Sequence, residues 1–232
     1  TGEAVGEMSD AAGTLWLDVG RRDWSDALLA ATGLTRTHMP RLVEGSEVSA
    51  FVKPALCQRW GLPDQLPVAG GAGDNAASAV GMGLVRPGEG FVSLGTSGVV
   101  FVSGADFQPN PAQALHAFCH ALPGRWHVMS VMLSAASAVT WATKNLGFEN
   151  EAALLAAAAT LDADARTQAP LFLPYLSGER SPHNNPLATG AWTGLRALSD
   201  GELERLARAI VDEVRKRGPF LSLADFVNRR LA

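Results

Sequence analysis

The chain has 232 residues, of which 47% are hydrophobic, and this is enough to bury one substantial core or two modest ones. A formal net charge of −4, with no basic run in the first 195 positions, argues against a nucleic-acid surface or a polybasic membrane anchor and favours a small soluble substrate. The two cysteines, Cys57 and Cys119, show no CxxC spacing, no signal-peptide pattern is present, and the apolar stretches are too short to cross a bilayer, which together indicate a reducing, cytoplasmic setting.

Residues 1–86 are predicted to alternate short helices with short strands. The opening residues 1–18 start without a methionine and without an amphipathic element before them, so we expect the chain to be cut from a longer protein. Apolar periodicity, caps and turn residues then predict a helix over 23–32 closed by Gly33, a loop over 40–48 that leads into a strand, a helix over 51–60, a buried strand over 66–69, and a helix over 76–83. The turn RPGEG at 86–90 marks the predicted domain boundary.

The remainder of the chain is predicted to begin with a hairpin and to end in helices. The pattern predicts hairpin strands over 91–94 and 99–102, strands over 116–120 and 126–130 joined by the turn ALPG, helices over 133–145 and 149–161, a strand over 171–173, and a loop over 177–186. After about residue 194 the sequence becomes dense in charge and predicts an amphipathic helix over 200–217 and a short helix over 223–231. Mixed strands and helices of this kind indicate an α/β fold with a mixed sheet.

Two glycine-rich motifs carry the candidate chemistry. In GAGDNAA (71–77), small residues surround Asp74, so that backbone and substrate can approach the carboxylate closely. In SLGTSG (93–98), Gly95 and Gly98 flank the hydroxyls of Thr96 and Ser97 in a hairpin turn of the size of a phosphate group. A carboxylate beside such a turn is typical of a phosphoryl-transfer enzyme.

Each motif also has a structural interpretation that does not involve a ligand. Asp74 could serve only as the N-cap of the helix that follows it, and SLGTSG could be an ordinary hairpin turn. His116, Cys119 and His120 suggest a metal cluster, but positions i and i+4 of a strand lie far apart, so packing or hydrogen bonding is the favoured role of these three residues.

Four segments, taken in order and with their spacing, carry a resemblance to a known family: GAGDNAA, SLGTSG, HAFCHALPGRWHVMSVMLSAAS and FLPYLSGERSPHNNP. From about residue 1 to residue 194 the chain resembles the FGGY carbohydrate kinases, and within them the bacterial xylulokinases. The resemblance implies part of a two-domain α/β fold of the actin-like ATPase, ribonuclease H-like type. It also implies an ATP-dependent kinase that uses Mg²⁺ and transfers the γ-phosphoryl group of ATP to the 5-hydroxyl of D-xylulose.

The resemblance assigns roles to particular residues. Asp74 would be the general base that accepts the proton of the attacking sugar hydroxyl, and Asp74 and Asn75 would hold the sugar. The family's second phosphate loop matches the four consecutive residues Gly95, Thr96, Ser97 and Gly98, whose amides and hydroxyls would hold the β and γ phosphates. The loop with Gly178, Glu179, Arg180 and Pro182 is similar to the family's cleft-lining segment.

The same resemblance divides the chain and limits its expected activity. Residues 1–86 would be the C-terminal part of the first, sugar-binding domain, 87–195 the N-terminal part of the second, nucleotide-binding domain, and 196–232 a divergent helical tail. The family's amino-terminal phosphate loop and its adenosine-binding segment have no counterpart here, so we expect the isolated chain to be impaired or inactive. The alternatives are a kinase for another ketose or polyol and a non-catalytic module derived from a truncated kinase. The expected partners are D-xylulose and ATP, with no nucleic acid and no membrane, and a homodimer is among the expected assemblies.

Overall fold

The computed structural model describes residues 1–197, 199–201, 204, 205, 207, 208, 211 and 212. The chain divides into two compact units. The first consists of Thr1–Leu133 together with Glu179–Pro186, and the second of Ser134–Gly178 together with the part that begins at Leu187. The predicted division at residue 86 follows family domains and not compactness, and it stays a prediction.

The first unit holds ten strands and four α-helices among its described residues. In chain order these are β1 Val5–Glu7, α1 Met8–Ala11, β2 Leu17–Asp18, β3 Asp23–Trp24, α2 Asp26–Ala31, β4 Arg41–Val43, β5 Val48–Phe51, α3 Pro54–Trp60, β6 Pro67–Ala69, α4 Asp74–Gly81, β7 Gly90–Leu94, β8 Gly98–Gly104, β9 His116–Cys119 and β10 Trp126–Met132. Three single turns of 3₁₀-helix lie at Ala12–Thr14, Arg36–His38 and Pro111–Gln113.

Near the amino terminus, β1 and β4 form a parallel pair, with Glu7 opposite Val43. Helix α1 follows β1 directly and buries Met8 and Ala11 in a core that also contains Leu29 of α2. Neither β1 nor β4 is predicted from the sequence, which gives no element over residues 1–18 and a loop over 40–48. This pair places α1 beside the chain that leads to the GAGDNAA motif.

Two predicted helices of this unit, α2 and α3, are confirmed with later starts, and the helix predicted over 76–83 is confirmed as α4 with an earlier start, at Asp74. Helix α2 begins at Asp26 because the Ser25 hydroxyl accepts the amide of Leu28, and the preceding residues pair with β2 instead. Helix α3 begins at Pro54, a residue suited to the first helical position, and ends as predicted before Gly61, which takes a left-handed φ of 65°. The strand predicted over 66–69 exists as β6, but it is not buried as predicted, and among the described strands it pairs with β5 alone.

The largest sheet of the first unit has four antiparallel strands in the order β7-β8-β10-β9. Both predicted hairpins are confirmed: β7 pairs with β8 around SLGTSG, and β9 pairs with β10 around ALPG. Phe101 of β8 is fully buried under this sheet together with Ala79 of α4 and Met129 of β10. Parallel and antiparallel pairs lie in separate sheets of the described chain, whereas the sequence analysis predicts one mixed sheet.

Between Ser134 and Thr193 the second unit contains three helices and one strand pair. These are α5 Ala136–Leu146, α6 Glu151–Ala159, α7 Ala163–Gln168, β11 Leu171–Leu173 and β12 Ala191–Thr193, and β11 pairs with β12. Helices α5 and α6 and strand β11 confirm predicted elements, while α7 and β12 are not predicted. A stack of three rings connects α5 with β11 and β12, with Phe172 lying 5.2 Å from Trp141 and 4.7 Å from Trp192 between ring centroids.

The predicted helix over 200–217 is supported in its described part. The described positions from Asp200 to Asp212 are helical, and Arg208 pairs with Glu204 at 2.6 Å. The rest of that helix, and the helix predicted over 223–231, lie outside the described residues. Among the residues that are described, none of the helices is long and apolar enough to span a membrane.

Candidate active site

Asp74 is the first residue of α4, directly after the N-cap Gly73. Its side chain is exposed, and its Oδ1 accepts hydrogen bonds from the backbone amide of Asn75 at 2.7 Å and from the Asn75 side-chain amide at 3.1 Å. No described residue donates to Oδ2. The carboxylate is therefore oriented through one oxygen and presents the other to solvent.

The loop before Asp74 is held by its own backbone amides. The amide of Gly70 donates to Glu47 O at 2.9 Å, and the amide of Gly71, whose φ is 86°, donates to Gly45 O at 3.1 Å. A Cβ added to Gly45 would lie 2.6 Å from Gly71 O and 2.7 Å from Ala121 O, which no residue but glycine permits. Glycines at 45 and 71 thus let two backbone segments touch, and this contact locates the loop.

Asp74 and Asn75 lie in a cleft of about 410 Å³ within the first unit. A second carboxylate, that of Asp10 in α1, lies in the same cleft. The full lining is Ser9, Asp10, Gly13, Ala72, Gly73, Asp74, Asn75, Ala76, Phe118, His127 and Met129. Asp10 is not among the residues predicted from the sequence, although SDAA at 9–12 matches GDNA at 73–76 as a small residue, an aspartate and a downstream alanine.

His127 of β10 lies on the wall of this cleft and is the most perturbed titratable group there. It is 3% exposed, and neither ring nitrogen has a partner in hydrogen-bonding geometry. Burial, together with the neighbouring His120, lowers the pKa of His127 from its ordinary 6.5 to about 3. The imidazole is therefore neutral at physiological pH and adds no positive charge to the cleft.

The predicted phosphate turn is an exposed three-residue connection between β7 and β8. The amide of Gly95 donates to Ser97 O at 3.0 Å, and the Ser97 hydroxyl donates to Leu133 O at 3.3 Å. Gly95 does not take a left-handed φ, and a Cβ added there would meet only Ser97 O, at 3.6 Å. The fold therefore does not require glycine at this position, and the space above the turn is open.

The predicted cleft-lining segment places Glu179 and Ser181 against the end of β10. Glu179 is 2% exposed, and its Oε1 accepts the amides of Leu133 at 3.1 Å and Arg180 at 2.8 Å, while its Oε2 is buried without a partner. Ser181 exchanges two hydrogen bonds of 3.2 Å with the backbone of Val131. The carbonyl of Leu133 accepts the Ser97 hydroxyl, and its amide donates to Glu179. Glu179 therefore supports the phosphate turn through Leu133.

The structure brings some of the predicted site residues together. Asp74 and Asn75 line one cleft. Among the described residues, none of Gly95, Thr96, Ser97 and Gly98 lines that cleft. The predicted pairing of the carboxylate with the phosphate turn consequently stays a prediction.

The candidate metal trio has other contacts. His120 receives the amide of Leu122 on Nδ1 at 3.2 Å, and its Nε2 lies 3.3 Å from the Ser103 hydroxyl. The Cys119 thiol donates to Val19 O at 3.6 Å, and burial raises the pKa of this thiol to about 11. Both residues thus have structural partners inside the unit.

Comparison with known proteins agrees with these observations. The chain matches the N-terminal domain of the FGGY family of carbohydrate kinases over residues 1–81 and the C-terminal domain over residues 90–214. It is 54% identical to a xylulose kinase of Klebsiella pneumoniae over 92% of this chain and 43% of that protein, and 53% identical to one of Escherichia coli K12 with the same coverage. The chain spans less than half the length of these curated relatives.

Solved structures show the same relationship. A xylulose kinase from Brucella ovis superposes with a TM-score of 0.80 at 46% identity, covering 100% of this chain and 47% of that one. A xylulose kinase from Rhodospirillum rubrum gives a TM-score of 0.73 at 30% identity, covering 94% of this chain and 44% of that one. The fold is accordingly part of the actin-like ATPase fold of sugar kinases, and the chain belongs to the FGGY family of carbohydrate kinases.

Proposed function

We propose that this chain is part of an ATP-dependent kinase that phosphorylates the 5-hydroxyl of D-xylulose. The family match supports the reaction class, and the names of the relatives support the sugar. One observation carries the assignment of chemistry to this chain. The carboxylate of Asp74 is oriented by Asn75 through Oδ1 and keeps Oδ2 open to a cleft large enough for a sugar.

In this proposal Asp74 is the general base and Asn75 positions both the base and the sugar. Asp74 Oδ2 takes the proton that the 5-hydroxyl loses while the hydroxyl oxygen bonds to phosphorus. The bond from phosphorus to the oxygen it shares with the β-phosphate breaks at the same stage, so the products are the sugar 5-phosphate and ADP. The base needs no unusual proton affinity, because the proton leaves late in a loose transition state.

The turn at 95–98 fits a phosphate chain. Residues 95–97 are exposed, while Gly98 at the start of β8 is buried, and the missing side chain at Gly95 leaves open space that the fold does not need. The amides and hydroxyls of Thr96, Ser97 and Gly98 would bind the β and γ phosphates as charge shifts between their oxygens. Bound ATP with Mg²⁺ would supply the phosphoryl group and neutralise part of its charge.

Calorimetry with D-xylulose and, separately, with MgATP tests the proposal on this chain. We expect measurable affinity for the sugar that Asp74→Ala removes. A matched panel of other ketoses and polyols decides the sugar, and tighter binding of a different member would replace D-xylulose. A chain that binds neither ligand would favour the non-catalytic module.

Turnover of the isolated chain is a separate matter. The relatives are more than twice as long, so the 232 residues assayed alone should lack groups that position both reactants, and we expect little or no release of ADP. A coupled ADP assay with D-xylulose, ATP and Mg²⁺ measures this. Turnover at the rate of an ordinary sugar kinase would contradict the expectation.

Light scattering would test the expected homodimer.

A further inference from the structure

A buried relay of hydrogen bonds connects β1 to the loop before Asp74. The Ser9 hydroxyl donates to Glu7 Oε2 at 2.6 Å and accepts the backbone amide of Gly73 at 2.9 Å. The same oxygen of Glu7 accepts the backbone amide of Asp10 at 3.0 Å. One carboxylate oxygen therefore holds Asp10 directly and, through Ser9, holds the residue that precedes Asp74.

The relay is built from buried groups with short bonds. Glu7 and Ser9 are each 6% exposed, and the hydrogen bond between them is 2.6 Å long. A buried donor left without a partner costs more than a surface one, so the amide of Gly73 depends strongly on the Ser9 hydroxyl. The hydrogen bond between Ser9 and Gly73 joins residues that are 64 positions apart in the sequence.

We propose that Glu7 and Ser9 are positioning residues that set the separation of the two cleft carboxylates, Asp10 and Asp74. Gly73 is the N-cap of α4 and Asp74 its first residue, so a shift of the Gly73 backbone moves the Asp74 carboxylate with it. Asp10 is fixed in the same way, since Glu7 also caps α1. This inference rests on the proposed function, because it assumes that the Asp74 cleft receives the sugar.

The geometry predicts which substitutions break the relay. Ser9→Ala removes both bonds of the hydroxyl and leaves the amide of Gly73 without its acceptor. Glu7→Ala removes the acceptor for both Ser9 and Asp10. Glu7→Gln keeps a carbonyl oxygen where Oε2 stands, and the new amide group takes the place of Oε1, which has no partner in the native chain. Glu7→Gln should therefore behave as the rescuing variant.

The test combines amide hydrogen exchange with sugar calorimetry on the full chain. In Ser9→Ala we expect exchange at Gly73 to rise about tenfold and the affinity for D-xylulose to fall about tenfold, and in Glu7→Gln we expect both to stay near native values. Ser103→Ala is the matched control. It also removes a buried hydroxyl, one that donates to Leu84 O at 3.1 Å away from the cleft, and should change stability without changing exchange at Gly73.

The outcomes separate this inference from the proposed function. Faster exchange at Gly73 with unchanged sugar affinity would overturn the positioning role. Unchanged exchange at Gly73 and Asp10 in Ser9→Ala and in Glu7→Ala would overturn the relay itself, whatever the sugar does. If the native chain binds no sugar, the proposed function falls, while exchange at these two amides still decides whether the relay holds the cleft.

Discussion

The imidazole of His127 stacks on the phenyl ring of Phe101, with centroids 4.3 Å apart and ring planes 24° from parallel. Phe101 in turn stacks on Phe91 at 4.9 Å, so three rings from three adjacent strands form one continuous stack across the sheet. A protonated imidazole inside this stack would be a buried charge without a partner. The stack should therefore make folding sensitive to pH.

Stability should fall as the solution is acidified. The folded pKa of His127, about 3, lies below its ordinary value of 6.5, so between these values the unfolded chain binds the proton and the folded chain does not. The contribution of neutral His127 is complete above about pH 6.5 and is lost by about 1.4 kcal/mol per pH unit as the pH drops toward 3. Thermal unfolding measured from pH 7.5 to pH 4 checks the slope.

His127→Phe should flatten this dependence. Phenylalanine keeps the stack on Phe101 and removes the two unpartnered nitrogens. A smaller slope remains, because burial also lowers the pKa of His120 and of His116. An unchanged pH profile in His127→Phe would show that another group governs acid unfolding.

Asp74→Asn should abolish phosphoryl transfer and spare nucleotide affinity, because the amide keeps the shape of the carboxylate but takes up no proton. The measurement is kcat in a longer active protein that contains these residues, with MgATP binding followed by calorimetry. We expect kcat to fall by a factor of about 10² or more. Turnover that survives in this variant would exclude Asp74 as the base.

Glu179→Ala should loosen the turn at 95–98. Loss of the Glu179 carboxylate leaves the amide of Leu133 without its acceptor, and the carbonyl of this same residue accepts the Ser97 hydroxyl. We expect faster amide exchange over Gly95–Gly98 and weaker MgATP binding, with sugar affinity preserved. Glu179→Gln retains the accepting oxygen and should restore both quantities, and equal behaviour of the two variants would contradict this role.

Gly45→Ala should destabilise the first unit by about 2 kcal/mol or more, since the new methyl group would collide with two backbone oxygens that cannot move aside. Urea unfolding checks the value. Gly81→Ala is the matched control: a Cβ at Gly81, the last residue of α4, meets nothing within 4 Å, and alanine is the better helix former. Equal losses in both variants would refute the close approach at Gly45.

The sequence by itself determined the elements that depend on neighbours along the chain. Alternating apolar residues around a glycine turn predict the β7-β8 hairpin, and ALPG predicts the β9-β10 turn. Alanine-rich periodicity predicts α5 and α6, and the motif strings predict the family. All of these signals lie within a few residues of the structure that they specify.

Tertiary structure decided which distant segments meet. The parallel pairing of β1 with β4 joins residues 36 positions apart, and it brings Ser9 to Gly73 and Asp10 into the cleft of Asp74. No local signal distinguishes β1 and β4 from loop, and a serine or a glutamate has the same local preference whether it is buried in a relay or exposed to water. The relay therefore exists only because the backbone path places these groups within hydrogen-bonding distance, where burial makes each bond costly to lose.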